Sequence, residues 1–524
     1  MRKPMWIADQ GDGGYTNPIL YTDYSDPDVI RVGANYYMVA SSFCNTPAVP
    51  VLHSKDLVNW KVISYVMENL PFEHYDKPLH GLGAWAPSIR FHDGLFYVFI
   101  PFPDEGIAVC KTEDPFDKWS EPEFITSFAG WIDPCPLWDD DGQTYMVTAV
   151  ARSRCGIKSM LYMTPIDEEC THTLGEGQFV FDGHKTQPTI EGPKLYKRNG
   201  YYYIFAPAGG VKVGWQTVLR SKDIYGPYEE KIVMRQGITP INGPHQGAWV
   251  DTMDGKDYFI HFQDVGTAGR IVHLEPMRWV DDWPIIGDED AEGFGQPVYE
   301  AAKPVLTDSL PYAPDDSDEF VDEKLGLQWQ WNANHKDDWY KVGDNRLVLY
   351  AQKVEAHTQL CDVPNLLLQK WPAPFFSVNT LFRIDGMNNG DMCGMICLGT
   401  HYSALYIEKN CDRLYLKQVV GEMQVAEPLL KTLSLKSDAA SFEKMRFIKE
   451  VSIDITRFVE MQMVIDEEEN IIFYVDGLRE PVGSIEKATA GRWVGAKVGL
   501  FAINKLGANP GSVDVDYFLF DDKI

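Results

Sequence analysis

Over the first 260 residues one arrangement of polar and apolar positions recurs five times: a polar turn carrying glycine, then an aromatic residue, then an apolar run. The copies read RVGANYYMVASS from Arg31, RFHDGLFYVFIPF from Arg90, LWDDDGQTYMVTAV from Leu137, LYKRNGYYYIFAPAG from Leu195 and DTMDGKDYFIHF from Asp251. Their turn glycines, Gly33, Gly94, Gly142, Gly200 and Gly255, follow one another at roughly 50 to 60 residues, a spacing of propeller blades rather than of short solenoid units. Each copy predicts a β-hairpin. Asp-Gly and Asn-Gly supply the positive φ angles that two-residue turns require, and the Tyr, Phe and Val behind them suit half-buried strands. Five hairpins predict a five-bladed β-propeller.

After GRIVHLEPMRWVDDWPIIG, which closes a sheet, the pattern stops in AAKPVLTDSLPYAPDDSDEF, a stretch rich in Pro, Asp and Ser that reads as a linker. From Phe320 onward short alternating strands return at regular spacing, among them NRLVLYAQ, HYSALYIEK, NIIFYVDG and VDVDYFLFDD. Alternation of this kind predicts an antiparallel β-sandwich. The expected division is a propeller over 1–303, a linker over 304–319 and a sandwich over 320–524. The chain is therefore all-β, with SFEKMRFI near Ser441 the short candidate for a helix.

Counting backwards from the turn glycines turns the repeat into chemistry. Nine residues before Gly142 stands Asp133, and nine before Gly200 stands Glu191. The same offset gives Trp85 before Gly94, and Gln246, beside His245, before Gly255. Asp26 precedes Gly33 by seven, which a turn shorter by two residues would explain. If these are the starts of the innermost strands, acids, a Trp and a His ring one mouth of the propeller axis.

Composition limits what that mouth can bind. A formal net charge of −29 repels nucleic acid and anionic membranes, although it also serves plain solubility. The first twenty residues contain no apolar run long enough for a signal peptide or a membrane span, so a cytoplasmic location is expected. Nine scattered cysteines argue for reduced thiols, and Cys393 and Cys397 lack companions at zinc-site spacing.

Taken singly, Asp26 before Pro27, Asp133 before Pro134 and Glu191 before Gly192 read as turn-forming residues. Shared register in three separate repeats is what independent turns do not produce. Three carboxylates in one mouth cannot all ionise freely, so at least one is expected to keep its proton near neutrality. A proton-donating acid facing an ionised base is the arrangement that cleaves an acetal such as a glycosidic bond.

At the level of motifs, the first 300 residues resemble glycoside hydrolase family 43 through NPILYTDYSDPDVIRVGANYYMVASS, VLHSKDLVNW, WAPSIRFHDGLFYVF, WIDPCPLWDDDG, IEGPKLYKRNGYYY and GPHQGAWVDT followed by GRIVHLEPM. The resemblance implies a five-bladed propeller hydrolysing β-xylosides and α-L-arabinofuranosides. It likens the C-terminal half to the concanavalin A-like (jelly-roll) β-sandwich of that family's β-xylosidases. It casts Asp26 in SDPD as general base, Glu191 in IEGP as general acid and Asp133 in WIDP as the residue that tunes and orients the acid. The implied displacement inverts the anomeric centre, with a carboxyl separation on the order of 6.5 to 9.5 Å between Asp26 and Glu191.

The same resemblance assigns further contacts. Trp85 and Phe43 become aromatic walls for the terminal sugar and Arg270 a basic contact to its hydroxyls, while Gln246 is a substrate-binding candidate by its place in the repeat. His245 matches a channel histidine that in some members helps hold a calcium ion or water, while a hydrogen-bonded core histidine is the competing reading. The run Asp139 to Gly142 reads as a solvated turn rather than a calcium loop. Trp493 in GRWVGAKVGLFA is the candidate lid from the sandwich, closing the pocket to all but terminal sugars, with a sandwich-core Trp as the alternative. No cofactor is required for the implied chemistry, the partner is an oligosaccharide of xylan or arabinoxylan, and a homo-oligomer stays open.

One departure bears on specificity: SSFCNTPAVPVLHSKDL stands where many dedicated β-xylosidases carry a longer aromatic segment, so activity on both pentoses is expected. A retaining fructosidase would carry Asn-Asp-Pro-Asn-Gly and Glu-Cys segments, which are missing here. A non-catalytic sugar-binding propeller would need Trp85 and Arg270 but not three acids.

Overall fold

In the computed structural model, which describes residues 3–411, 413–423, 443–451, 457–507 and 509–522, five antiparallel blades of four strands follow one another along the chain, the fourth extended to six strands by Gly295–Gln296, which pairs parallel with Glu229–Met234, and by Asp288–Glu289. Their innermost strands are Asp28–Val32, Ser88–His92, Trp131–Trp138, Lys194–Arg198 and His245–Asp251. These strands neighbour one another around an axis, the fifth lying against the first. Each is joined to its second strand through one of the five glycine turns, and all five glycines have positive φ, from 60° to 83°. In blades two and four the preceding Asp93 and Asn199 also have positive φ, as a tight hairpin turn with two left-handed residues demands.

The second strands are buried on both faces, and their alternation decides which neighbour each side chain meets. In the second strand of blade one (Asn35–Val39), Tyr36 and Met38 pack against blade five beside Ile260 and Leu274. Tyr37 and Val39 point the other way, against Val98 and Ile100 of blade two. The remaining blade contacts repeat this, with Phe99 and Met146 between blades two and three, Val147 and Ile204 between three and four, and Phe205 and Phe259 between four and five. Each such side chain contributes roughly 1.5–3 kcal/mol on burial.

The ring is closed by its own beginning: Gly14–Thr16 pairs antiparallel with Glu300–Ala302. Lys303, just beyond, reaches back to Asp9 and lies 3.0 Å from Asp56. From here to Gln330 the chain forms no helix or strand beyond a bridge between Asp318 and Phe518. It is nevertheless tied down, since Asp316 accepts the Met5 amide and Asn59 the Tyr312 amide.

The C-terminal half is a sandwich of two sheets. One contains Lys497–Asn504, Asp391–Leu398, His401–Asn410 and Arg413–Glu422; the other is built on Phe376–Arg383, Phe458–Ile465 and Ser512–Asp521. Trp371, Phe376, Met395, Leu500 and Phe518 fill the space between them. The helix expected near Ser441 does not form. Residues 441 and 442 lie outside the described residues, and Glu443–Val451 is a strand paired antiparallel with Arg413–Glu422. The backbone donors and acceptors of that neighbouring strand outweigh the weak local helix preference.

A second correction concerns the first repeat. The turns of blades one, two and four all span two residues, so a shorter turn does not explain the offset of Asp26. Asp26 stands six residues before Val32, whereas Trp85 and Glu191 stand seven before His92 and Arg198. Gly33 also occupies the first position of its turn, not the second. Among the described residues no helix is long and apolar enough to cross a membrane, and no disulfide joins the cysteines.

Candidate active site

The site is built where the innermost strands begin. The amides of Trp85 and Glu191 donate to Pro101 and Pro207, equivalent carbonyls on the second strands of blades two and four, so these two residues share one register. Asp133 and Gln246 reach the same level by another route. Each lies on a β-bulge, between Ile132 and Cys135 in blade three and between His245 and Gly247 in blade five, with φ of 54° and 28°. A bulge inserts an extra residue and re-aims its side chain. Asp26 also has positive φ (57°), beside the bond from the Ser41 amide to the Ser25 carbonyl.

Asp26 is buried and surrounded by donors. Ser41 Oγ and Ser25 Oγ donate to Oδ2 at 2.6 and 2.9 Å, and Arg270 Nη1 donates to Oδ1 at 2.9 Å. Arg270 also reaches Ser25 Oγ at 2.7 Å, and its guanidinium lies 4.8 Å from the centre of the Phe262 ring.

Glu191 keeps more contact with solvent, its side chain 31% exposed. Its Oε1 lies 2.8 Å from His245 Nε2, and His245 is fully buried. Between the two acids sits Asp133, also buried, whose Oδ2 accepts the Gly192 amide at 2.8 Å and so fixes the backbone directly after Glu191. Gly192 has φ of 59°, and a Cβ there would come within 2.3 Å of Gln246 Cγ. Gln246 thus packs on the acid's own turn. Burial, helped by the charges of Glu191 and Asp26, pushes the Asp133 carboxyl up to about 7, against the pull of the Gly192 amide and Lys194. Of the three acids it is Asp133 whose carboxyl is raised toward neutrality.

Trp85 is half-buried, with its indole N–H on the Gly81 carbonyl at 3.1 Å and its ring 6.2 Å from Phe43. Phe43 is only 3% exposed, so it backs Trp85 instead of offering a free face. On Trp85 lies the guanidinium of Arg154, 5.0 Å from the ring centre and paired with Asp104 at 2.8 Å.

Trp493 does not belong to the sandwich core. It is 41% exposed at the tip of a sandwich loop, with φ of 63°. Its ring lies 5.9 Å from the Arg270 guanidinium and 4.0 Å from that of Arg492. The loop also touches the Trp85 side, because a Cβ on Gly81 would meet Arg492 Cγ at 2.5 Å and Trp493 Cδ1 at 3.7 Å. The sandwich therefore contacts both flanks of the propeller mouth.

The buried Nδ1 of His245 has no hydrogen-bond partner. Calcium takes six to eight oxygen ligands. Among the described residues the one group of three or more His, Cys, Asp and Glu donors close enough to share an ion is His92, Asp93 and Glu168, which excludes His245. A single ring nitrogen does not amount to a protein-built calcium site.

Sequence reasoning missed Ser25, Ser41, Phe262, Arg154 and Asp104. Ser25 and Ser41 stood inside quoted motifs, one beside Asp26 and one before Phe43, and the need of a buried carboxylate for donors was the available signal. Arg154 and Asp104 come from loops of different blades and left no such signal.

Comparison with known proteins matches this architecture along the chain. The profile of glycosyl hydrolases family 43 covers residues 15–284, and that of the beta xylosidase C-terminal concanavalin A-like domain covers residues 317–521. A beta-xylosidase of Formosa agariphila is 30% identical over 576 residues, spanning 98% of this chain and 91% of its own. A non-reducing end alpha-L-arabinofuranosidase of Bacteroides ovatus is 24% identical over 544 residues, spanning 98% and 97%. The crystal structure of a family 43 protein from Bacillus licheniformis superposes with a TM-score of 0.78 at 26% identity, over 97% of this chain and 99% of that one. With the catalytic-domain profile spanning more than half of its length and the sandwich profile most of the rest, the chain belongs to glycosyl hydrolase family 43 and is a glycoside hydrolase.

Proposed function

We propose that this protein removes terminal, non-reducing pentoses, β-D-xylose and α-L-arabinofuranose, from oligosaccharides of xylan or arabinoxylan with inversion at the anomeric carbon. The observation that carries this reading is the unequal setting of two carboxyls in one mouth: Asp26 is buried among three donors, while Glu191 is partly open to solvent and held by His245. In the proposed reaction Asp26 takes a proton from a water on one face of the sugar. Glu191 gives its proton to the leaving oxygen on the other face, and no covalent intermediate forms. The charge of Glu191 is one of the causes that raise the Asp133 carboxyl. Asp133 also orients the acid through the Gly192 amide.

Trp85 and Arg270 supply an aromatic wall and a donor for the terminal sugar, and Trp493 limits the depth of the pocket to one residue. The names of the relatives support both pentoses as substrates. The test is hydrolysis of 4-nitrophenyl β-D-xylopyranoside and 4-nitrophenyl α-L-arabinofuranoside, with the anomer of the first-formed sugar followed by proton NMR. Release of α-xylose from the β-xyloside is expected; first-formed β-xylose would refute inversion, and no release from either substrate would refute the pentosidase reading. A pentose-bound crystal structure should place the Asp26 and Glu191 carboxyls on the order of 6.5 to 9.5 Å apart.

A further inference from the structure

Three residues before Asp26, the carboxylate of Asp23 is buried in the joint between propeller and sandwich. Its Oδ1 accepts the amide of Arg270 at 3.1 Å, and its Oδ2 accepts the amide of Gly495 at 2.7 Å. Its main-chain carbonyl accepts Lys370 Nζ of the sandwich at 2.7 Å. The two segments bound by this one carboxylate are pressed together. A Cβ on Gly269 would stand 2.5 Å from Gly495 N and 2.7 Å from Asp23 Cγ, and one on Gly495 would stand 2.5 Å from the Ala268 carbonyl. A second bond, from the Ala496 amide to the Thr267 carbonyl at 2.7 Å, runs beside the first.

Both ends of this joint lead into the pocket. Arg270 is the residue whose guanidinium holds Asp26. Gly495 follows Trp493 by two residues, and the Trp493 ring lies over that same guanidinium at 5.9 Å. We propose that Asp23 is a positioning residue, one carboxylate that sets Arg270 behind the base and Trp493 over the sugar, so that the docked sandwich governs catalysis in the propeller. The proposal rests on the reading of Asp26 as the general base. A buried carboxylate is costly unless its acceptors are satisfied. Here they are satisfied by two backbone amides from different domains, with Lys370, whose amine burial pushes down to about 7, on the Asp23 main-chain carbonyl. Burial pushes the Asp23 carboxyl up, while Lys370 and the two amides pull it back.

The test uses the full chain carrying Asp23→Ala, read by hydrogen–deuterium exchange and by steady-state kinetics on the two nitrophenyl pentosides. Peptides containing Arg270 and Gly495 should exchange faster together, with the remaining blades unchanged. KM should rise at least tenfold through Trp493, and kcat should fall at least tenfold through Arg270 and Asp26. The double variant Asp23→Ala/Trp493→Ala should show a KM no higher than Trp493→Ala alone. A staple that merely joins two domains would lower Tm and leave KM and kcat of the folded enzyme as they were. That result, or faster exchange on one side only, or multiplied KM effects, would overturn the proposal. If Asp23→Ala does not fold, Asp23→Asn, which keeps one acceptor, goes through the same measurements with smaller shifts of the same pattern. Wild-type protein inactive on both sugars would refute the pentosidase reading alone, since the paired exchange is measured without turnover.

Discussion

Asp133 is caught between its neighbours: burial and two other carboxylates oppose its charge, and a single amide and a distant Lys194 favour it. Its folded pKa of about 7 lies above the ordinary 3.8, so its contribution to stability is fully present below 3.8 and is lost as pH rises through 7. Asp133→Asn keeps an acceptor for Gly192 but cannot ionise. Its unfolding free energy should therefore gain on wild type between pH 4 and 8, by at most about 4 kcal/mol, as calorimetry across that range would show; a constant gap would contradict the raised pKa. Glu191 offers a sharper test of role. Nitrophenolate leaves without help from an acid, whereas a sugar alkoxide does not. Glu191→Gln should lose on the order of 10²–10⁴ in kcat/KM on xylobiose and much less on the nitrophenyl xyloside, while Asp26→Asn should lose similar factors on both. At this scale the sequence was informative wherever a residue was tied to the repeat, as Asp26, Asp133 and Glu191 are. Asp23 acts through a partner 472 positions away in the chain, and no local pattern announces such a contact.

Elements were legible in proportion to how local their causes are. The five hairpins follow from turn glycines and apolar runs a few residues apart, and they form as expected. The bulges that aim Asp133 and Gln246 were hidden, because an extra residue in a strand shows only against its partner. The helix expected near Ser441 failed for a related reason: its strand is stabilised by a neighbour more than twenty residues earlier in sequence. Packing between blades should be correspondingly sensitive. Phe99 is fully buried between blades two and three, and Phe99→Ala should cost about 3–5 kcal/mol of unfolding free energy in a denaturant titration. Substitution at exposed Phe128 should cost far less.

Across the whole molecule, charge and docking dominate. A formal net charge of −29 repels itself in the compact state, so Tm should rise when ionic strength is increased from about 10 to 200 mM, as screening shortens the reach of that repulsion. The blade count and the change of texture near Phe320 were visible in the sequence. The docking of the sandwich was not: Thr46 bridges to Trp331, Asn334 to Tyr75 and Leu70, and Gly495 to Asp23, each pair brought together only by the finished fold.

The pairing of Gly14–Thr16 with Glu300–Ala302 also bears on how the molecule comes into being. On the ribosome, blade one is made first, and one flank of Tyr36 and Met38 lies open to water until Ile260 and Leu274 of blade five emerge more than two hundred residues later. Birth order thus leaves this protein a greasy seam for more than two hundred residues of its synthesis, at the point where a chaperone would find it.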